Sequence, residues 1–214
     1  QGIEYKEKDY PTALVNGDFE GEYSIMQSSG VSSDRAIYIP DGWTVDYSNP
    51  NNNDLTALTK GDLYFSDFFA SCPKPADGGE HTYWVRQKWG ESTILFSQEI
   101  LLPEGEYTLT ADMWKSGLGG NSFVFYQFGN DARKEFTPDA TAEAWQKVEG
   151  SFKSDGETAV KIGFYAVHTS NGSEKVIGFD NIAITNLANS IIDLSPDVKN
   201  LIDVYTLDGR VVKK

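Results

Sequence analysis

Along most of the chain apolar and polar side chains alternate with period two, and Gly, Asn, Asp and Pro interrupt the alternation at short intervals. Successive side chains of a strand point to opposite faces, so this rhythm predicts many short antiparallel strands, and helical periodicity is nearly absent. The stretch 106–115 is the clearest case. Tyr107, Leu109, Ala111 and Met113 fall on one side, and Thr108, Thr110, Asp112 and Trp114 on the other. Further strands are predicted over 82–89, 94–101, 122–129, 145–152, 160–167 and 175–185. Turns are expected at Pro103-Glu104-Gly105, at 117–120, at Asp155-Gly156 and at Asn171-Gly172, and residues 47–60, with their Asn-rich centre, read as a long polar loop. The predicted class is all-β, an antiparallel β-sandwich or jelly roll.

Composition narrows the partners. The 214 residues carry 18 Lys+Arg against 32 Asp+Glu, a net charge of -14. Such a field disfavours nucleic acid bound through counterion release and adhesion to anionic lipid, and it leaves neutral or cationic molecules and metal ions as partners. No apolar run approaches the ~18 residues of a membrane-spanning helix. Cys72 is the sole cysteine, which rules out an intrachain disulfide and reads as a buried structural thiol. His81 and His168 sit in no zinc or hydrolase motif. The polar, charged opening from Gln1 has neither a signal-peptide pattern nor an initiator Met and reads as a mature or trimmed product.

Aromatic residues that the alternation places on polar faces are the candidate ligand contacts. Trp114 shares its side with Thr108, Thr110 and Asp112; Trp84 shares its side with Thr82, Arg86 and Lys88; Tyr165 sits with Lys161. Tyr126 lies beside Ser122 in a strand apolar on both sides, where the register is ambiguous. A sugar ring offers C–H groups on a face and hydroxyls around its edge, so a flat aromatic flanked by fixed donors and acceptors matches both. On this reading Trp84 and Trp114 are stacking platforms, Tyr165 and Tyr126 secondary aromatics, and Arg86 and Asp112 bidentate partners for hydroxyls. The plainer reading has these rings covered by the Asn-rich loop or by a C-terminal hairpin. Trp43, after Asp41-Gly42, and Trp145, before Val148 and Phe152, read as structural covers. Two other classes stay open: a glycan-active hydrolase or lyase using carboxylates among Asp112, Glu99 and Asp131, and a structural or adhesion module without a small ligand.

Four phrases occur in series: Leu14-Val15-Asn16-Gly17-Asp18-Phe19-Glu20, Pro40-Asp41-Gly42-Trp43, Pro103-Glu104-Gly105-Glu106-Tyr107-Thr108-Leu109 and Gly178-Phe179-Asp180-Asn181-Ile182. Their order resembles the galactose-binding-like jelly rolls, especially carbohydrate-binding modules of families four and twenty-two and sugar-binding proteins secreted by Bacteroides-type bacteria. The resemblance implies non-catalytic binding of a neutral glycan by a secreted or cell-envelope protein, with surface glycan-utilisation proteins as partners. It also implies a structural calcium ion at Asp18, Glu20 and Asp180, helped by carbonyls and the turn Asp77-Gly78-Gly79-Glu80. The expected division is an arm over 1–12, the jelly roll over 13–188 and an appendage over 189–214. There Val204-Tyr205-Thr206-Leu207-Asp208-Gly209-Arg210 is similar to the start of the C-terminal domains of secreted Bacteroidetes proteins, with Asp208-Gly209 as a type I′ hairpin turn.

Overall fold

A computed structural model describes residues 9–26, 37–48, 55–58, 75–115, 121–139, 144–190, 204–205 and 211–212. The described elements are strands β1 (Tyr23–Met26), β2 (Ile37–Pro40), β3 (Thr44–Ser48), β4 (Leu55–Leu58), β5 (Tyr83–Ile100), β6 (Gly105–Lys115), β7 (Phe123–Phe128), β8 (Lys134–Phe136), β9 (Trp145–Ser154), β10 (Val160–Asn186), β11 (Val204–Tyr205) and β12 (Val211–Val212), and one helical turn, α1 (Leu187–Ser190). All described pairings are antiparallel.

The architecture follows from the two longest strands. β5 and β10 pair from Val160↔Ile100 to Phe179↔Tyr83. Alongside the first part of β10 lies β7, which carries β8, while β3 flanks the matching part of β5. Alongside the second part of β10 lies β6, which carries β9, while β4 flanks the other end of β5. The shared strands thus feed two five-stranded halves, β8-β7-β10-β5-β3 and β4-β5-β10-β6-β9. Rings from the two halves meet: Phe164 of the first lies 4.5 Å from Phe179 and 5.3 Å from Tyr83 of the second, and Tyr126 lies 4.8 Å from Phe152. The halves are therefore the two layers of a β-sandwich of jelly-roll type, as the alternation predicts.

Phe164 is the hub of the core. Phe96 stacks on it at 4.9 Å, and Trp43 and Phe19 close over it at 5.3 and 5.9 Å. Phe19 is fully buried between exposed Asp18 and Glu20, as its place in the first motif suggests. The motif reaches the core by two left-handed residues, Asn16 and Phe19, with φ of 52° and 59°. Gly17 itself has no positive φ; it is needed because a side chain there would run into the Ile182 carbonyl, whose own N–H donates to the Gly17 oxygen at 2.9 Å. Trp43 seals this edge: its indole N–H donates to the carbonyls of Val15 and Asn16, each at 3.1 Å.

Several sequence expectations need correction. Residues 82–89 and 94–101 are one continuous strand, and so are 160–167 and 175–185. The Asn171-Gly172 turn is absent; a register irregularity between Asn171 and Lys175 absorbs the extra residues, because the ladder to β5 on both sides outweighs local turn chemistry. Within 47–60, Leu55–Leu58 forms β4 against Arg86–Tyr83, and Tyr47 and Ser48 end β3; positions 49–54 and 59–60 lie outside the described residues, as do Cys72 and the turns at 117–120 and Asp208-Gly209. Val204 pairs with Val212 and Tyr205 with Val211 in a short C-terminal antiparallel ladder. At Asp155-Gly156 the expectation holds: Gly156 has φ of 81°, and the Asp155 carboxylate accepts from the Glu157 and Thr158 amides, which holds its pKa down at about 2.

Truncating the hub tests the two-layer core. Phe164→Ala is expected to cost about 3–5 kcal/mol, seen as a lower denaturant midpoint with an unchanged slope.

Candidate functional site

The outward face of the second layer carries a cross-strand row of tryptophans. Trp84 of β5 is paired with Gly178 of β10, Gly178 with Trp114 of β6, and Trp114 with Trp145 of β9. Directly paired residues share a face, so three indoles gather over one glycine. Their centroids lie 5.4 Å (Trp84–Trp145), 6.1 Å (Trp114–Trp145) and 6.3 Å (Trp84–Trp114) apart, each pair edge to face. The glycine is required for the bed: a Cβ on Gly178 would sit 2.7 Å from the Trp145 ring and 2.9 Å from that of Trp84. Trp84 forms the floor at 1% exposure, and Trp114 and Trp145 are half-buried.

The next row on the same face is polar. Asp112 is paired with Asp180 on one side and Lys147 on the other. Asn181, left-handed at φ 50°, donates its side-chain amide to Asp112 Oδ2 at 2.9 Å and its backbone N–H to Asp180 Oδ1 at 2.8 Å. The Thr82 hydroxyl donates to Asp180 Oδ2 at 3.2 Å. Burial, reinforced by the neighbouring carboxylates of Asp112 and Glu20 and opposed by those hydrogen bonds, pushes the Asp180 pKa up to about 7. Beyond this row the face continues through Thr110 and Thr108, the latter 3.3 Å from the Ser151 hydroxyl.

The sequence-predicted ligand residues do not form one surface. Trp84, Asp112 and Trp114 are together, but Trp84 is buried under its neighbours, and Asp112, 5% exposed, is held by Asn181. Arg86 lies in β5 paired with Leu55 and Val176; its side chain is outside the described residues. Tyr126 is paired with Ile162 on the core side, packs on Phe152 and Phe136, and donates its hydroxyl to the Ser151 carbonyl. Tyr165 lies on the opposite outer face, stacked on Phe123 at 4.9 Å beneath the Arg133 guanidinium. Trp145 takes their place in the cluster. The alternation could have found it, since Val148 and Phe152 point into the core and an odd-numbered neighbour must then point out.

The carboxylates considered for catalysis are not assembled. Glu99 lies on the outward face of the first layer, 3.4 Å from Lys161, Asp112 lies on the other layer, and Asp131 is exposed in the turn after β7. Paired acids must flank one scissile bond, which the thickness of the sandwich prevents for Glu99 and Asp112. An open groove of about 670 Å³, lined by Leu14, Asp18, Tyr107, Asn181 and Ile184 among others, borders the polar row at Asn181; in it Tyr107 donates to the Pro103 carbonyl, and Asn186 accepts from Ala188.

The calcium residues converge only in part. Glu20 Oε1 accepts the His81 amide at 2.7 Å, and the turn at Gly78 and Gly79 lies against both Asp180 and Glu20. Asp18 Oδ1 is engaged by the Glu20 amide at 3.3 Å. Among the described residues no three His, Cys, Asp or Glu side chains close on one point as a metal site. A cation between Glu20 and Asp180 would offset the cost of burying the Asp180 carboxylate, whereas Asp18 has one carboxylate oxygen already engaged.

No protein-family model and no curated protein matches this sequence. Among solved structures, the enzymatically active domain of bacteriophage CBA120 tailspike protein 4 is similar over 82% of this chain, with a TM-score of 0.53 and 12% identity. This chain spans 21% of that one. TmCBM61, solved with β-1,4-galactotriose, is similar over 82% of this chain and 98% of its own, at 16% identity and a TM-score of 0.47. A carbohydrate-binding module of family four is similar over 81% and 99%, at 15% identity and 0.42. Identities this low bear on fold alone.

The raised pKa of Asp180 has a definite sign. The folded protein holds this proton up to a pH of about 7, whereas an unfolded chain releases it near 3.8. The stability it confers is complete below the unfolded value and is lost as pH rises to about 7. In chelator-containing buffer, Asp180→Asn is expected to gain stability relative to wild type progressively from pH 4 to 7, then hold a constant advantage of roughly a few kcal/mol. Melting temperatures across that range check it; a difference that does not vary with pH would contradict it.

Proposed function

We propose that the protein binds a neutral oligo- or polysaccharide without cleaving it, on the outward face of the second layer, with Trp114 and Trp145 as the stacking surface. The observation that carries this reading is the juxtaposition of the two rows. Half-buried indoles present apolar area beside the exposed Lys147, the partly exposed Asn181 amide and the Thr110 hydroxyl, and a pyranose has the same two-sided chemistry. The net charge of -14 favours a neutral ligand over an acidic one. The dispersal of Asp112, Glu99 and Asp131 supports binding over hydrolysis.

The test is calorimetry against neutral oligosaccharides, β-1,4-galactotriose and xylohexaose among them, with an assay for new reducing ends. Wild type is expected to bind and to release none. Trp114→Ala with Trp145→Ala is expected to lose about 30-fold or more in affinity, the loss typical of a truncated aromatic anchor. A folded protein that ignores the whole panel supports the structural or adhesion module instead.

Calcium is a separate proposal, supported by Glu20 and Asp180 beside the Gly78-Gly79 turn, with backbone carbonyls completing the six to eight oxygens the ion takes. Added calcium is then expected to raise the melting temperature of chelator-treated protein, because a ligand of the folded state stabilises it by mass action; Asp18→Asn is expected to leave that rise intact. Export to the envelope or exterior, alongside other surface glycan-utilisation proteins, belongs to the same proposal and rests on the motif resemblance.

A further inference from the structure

The floor of the indole cluster holds an unmet donor. Trp84 is 1% exposed, and its Nε1–H has no hydrogen-bond partner. Leaving a buried donor unpaired shifts the folding equilibrium against the protein by about ten- to a hundredfold. A phenyl ring would keep most of the packing without that cost. The nearby acidic oxygens are directed elsewhere: Asp112 to Asn181, Asp180 to Asn181 and Thr82.

The rings that cover Trp84 are less buried than Trp84 itself. The Trp84 ring lies on Gly178 within the sheet, while Trp114 and Trp145 stand edge-on to it and are half-buried. An edge-on ring contact contributes only a few-fold to about tenfold, comparable with what the unmet donor costs. Tilting one covering ring to admit an oxygen acceptor therefore exchanges terms of similar size, and the stacking of the incoming molecule tips the balance.

We propose that Trp84 is a specificity-determining hydrogen-bond donor of the saccharide site: on binding, Trp114 shifts and an oxygen of the neutral sugar accepts from Trp84 Nε1–H. This rests on the saccharide-binding reading above. It reverses the role expected from sequence, since Trp84 acts through its N–H from below, and the stacking surface is its two neighbours.

The five tryptophans give five indole N–H signals in a nitrogen-15 correlation spectrum, and Trp84→Phe assigns the one from Trp84. Should that variant not fold, single Phe variants of the other four assign it by elimination, and the shift alone decides. In the free protein the Trp84 signal is expected upfield and slow to exchange with solvent. On saturation with whichever neutral probe binds, β-1,4-galactotriose or xylohexaose being the first tried, it is expected to move downfield, and Trp84→Phe is expected to bind about three- to tenfold more weakly. If the Trp114 and Trp145 signals move while that of Trp84 stays and the variant binds as wild type does, the proposed donor role is wrong and saccharide binding stands. If no signal moves with any probe, saccharide binding itself fails and this role with it.

Discussion

The hydrogen-bonded ladder between β5 and β10 is the constraint on which the rest of the molecule depends. It runs from Val160↔Ile100 to Phe179↔Tyr83, and both layers of the sandwich are built by adding strands to its two ends. A strand shared by two facing layers must present core residues along its whole length. β10 does so: Ile162 and Phe164 serve one layer, Ile177 and Phe179 the other, and all four are buried. The aromatic hub around Phe164 is the consequence, because the shared strands bring Tyr83, Phe96 and Phe179 to the same place. The N-terminal motif then closes the remaining edge, clamped by Gln98, whose side chain both accepts from the Val15 amide and donates to its carbonyl.

The same ladder decides what the outward faces can hold. Where β10 crosses the second layer it presents Gly178, and the missing Cβ lets indoles from β5, β6 and β9 converge. On the first layer the corresponding face is filled differently. Phe123, Phe125 and Tyr165 are roofed by Arg133, whose guanidinium carbon lies 5.4 Å from both phenyl rings. One face thus ends in a cation laid over its aromatics, and the other in aromatic edges left half open beside buried acids. That asymmetry is what favours the second layer for the saccharide binding proposed above.

Burial also ties the polar row to the architecture. Asp180 follows the core residue Phe179, and the irregularity between Asp180 and Ala183 is where Asn181 takes its left-handed conformation and reaches Asp112. The Gly178-Phe179-Asp180-Asn181-Ile182 phrase therefore has a physical meaning residue by residue: a bed for indoles, a core ring, a buried acid, a side-chain bridge, and a backbone N–H that binds the N-terminal motif at Gly17.

By itself the sequence determined the all-β class, the positions of the long strands β5, β6, β7, β9 and β10, and which side of β5, β6 and β10 faces the core, because period-two alternation is a local property that burial imposes on every half-buried strand; the short strands β1, β2, β3, β4 and β8 carried too few alternating positions to be read. It placed Trp114 on an outward face for the same reason, and read Trp43, after Asp41-Gly42, as a structural cover. It could not show that 82–89 and 94–101 are one strand, since the partner that holds them straight lies far along the chain in β10. Nor could it tell one outward face from the other: Trp84 and Tyr165 both alternate away from the core, yet they lie on opposite sides of the sandwich. Tyr126 went to the wrong side because its strand is apolar on both faces, and only pairing with Ile162 fixes its register. Trp145 was legible by parity, but its company was not, because the gathering of Trp84, Trp114 and Trp145 over Gly178 depends on which strands become neighbours, and strand order is decided by long-range pairing.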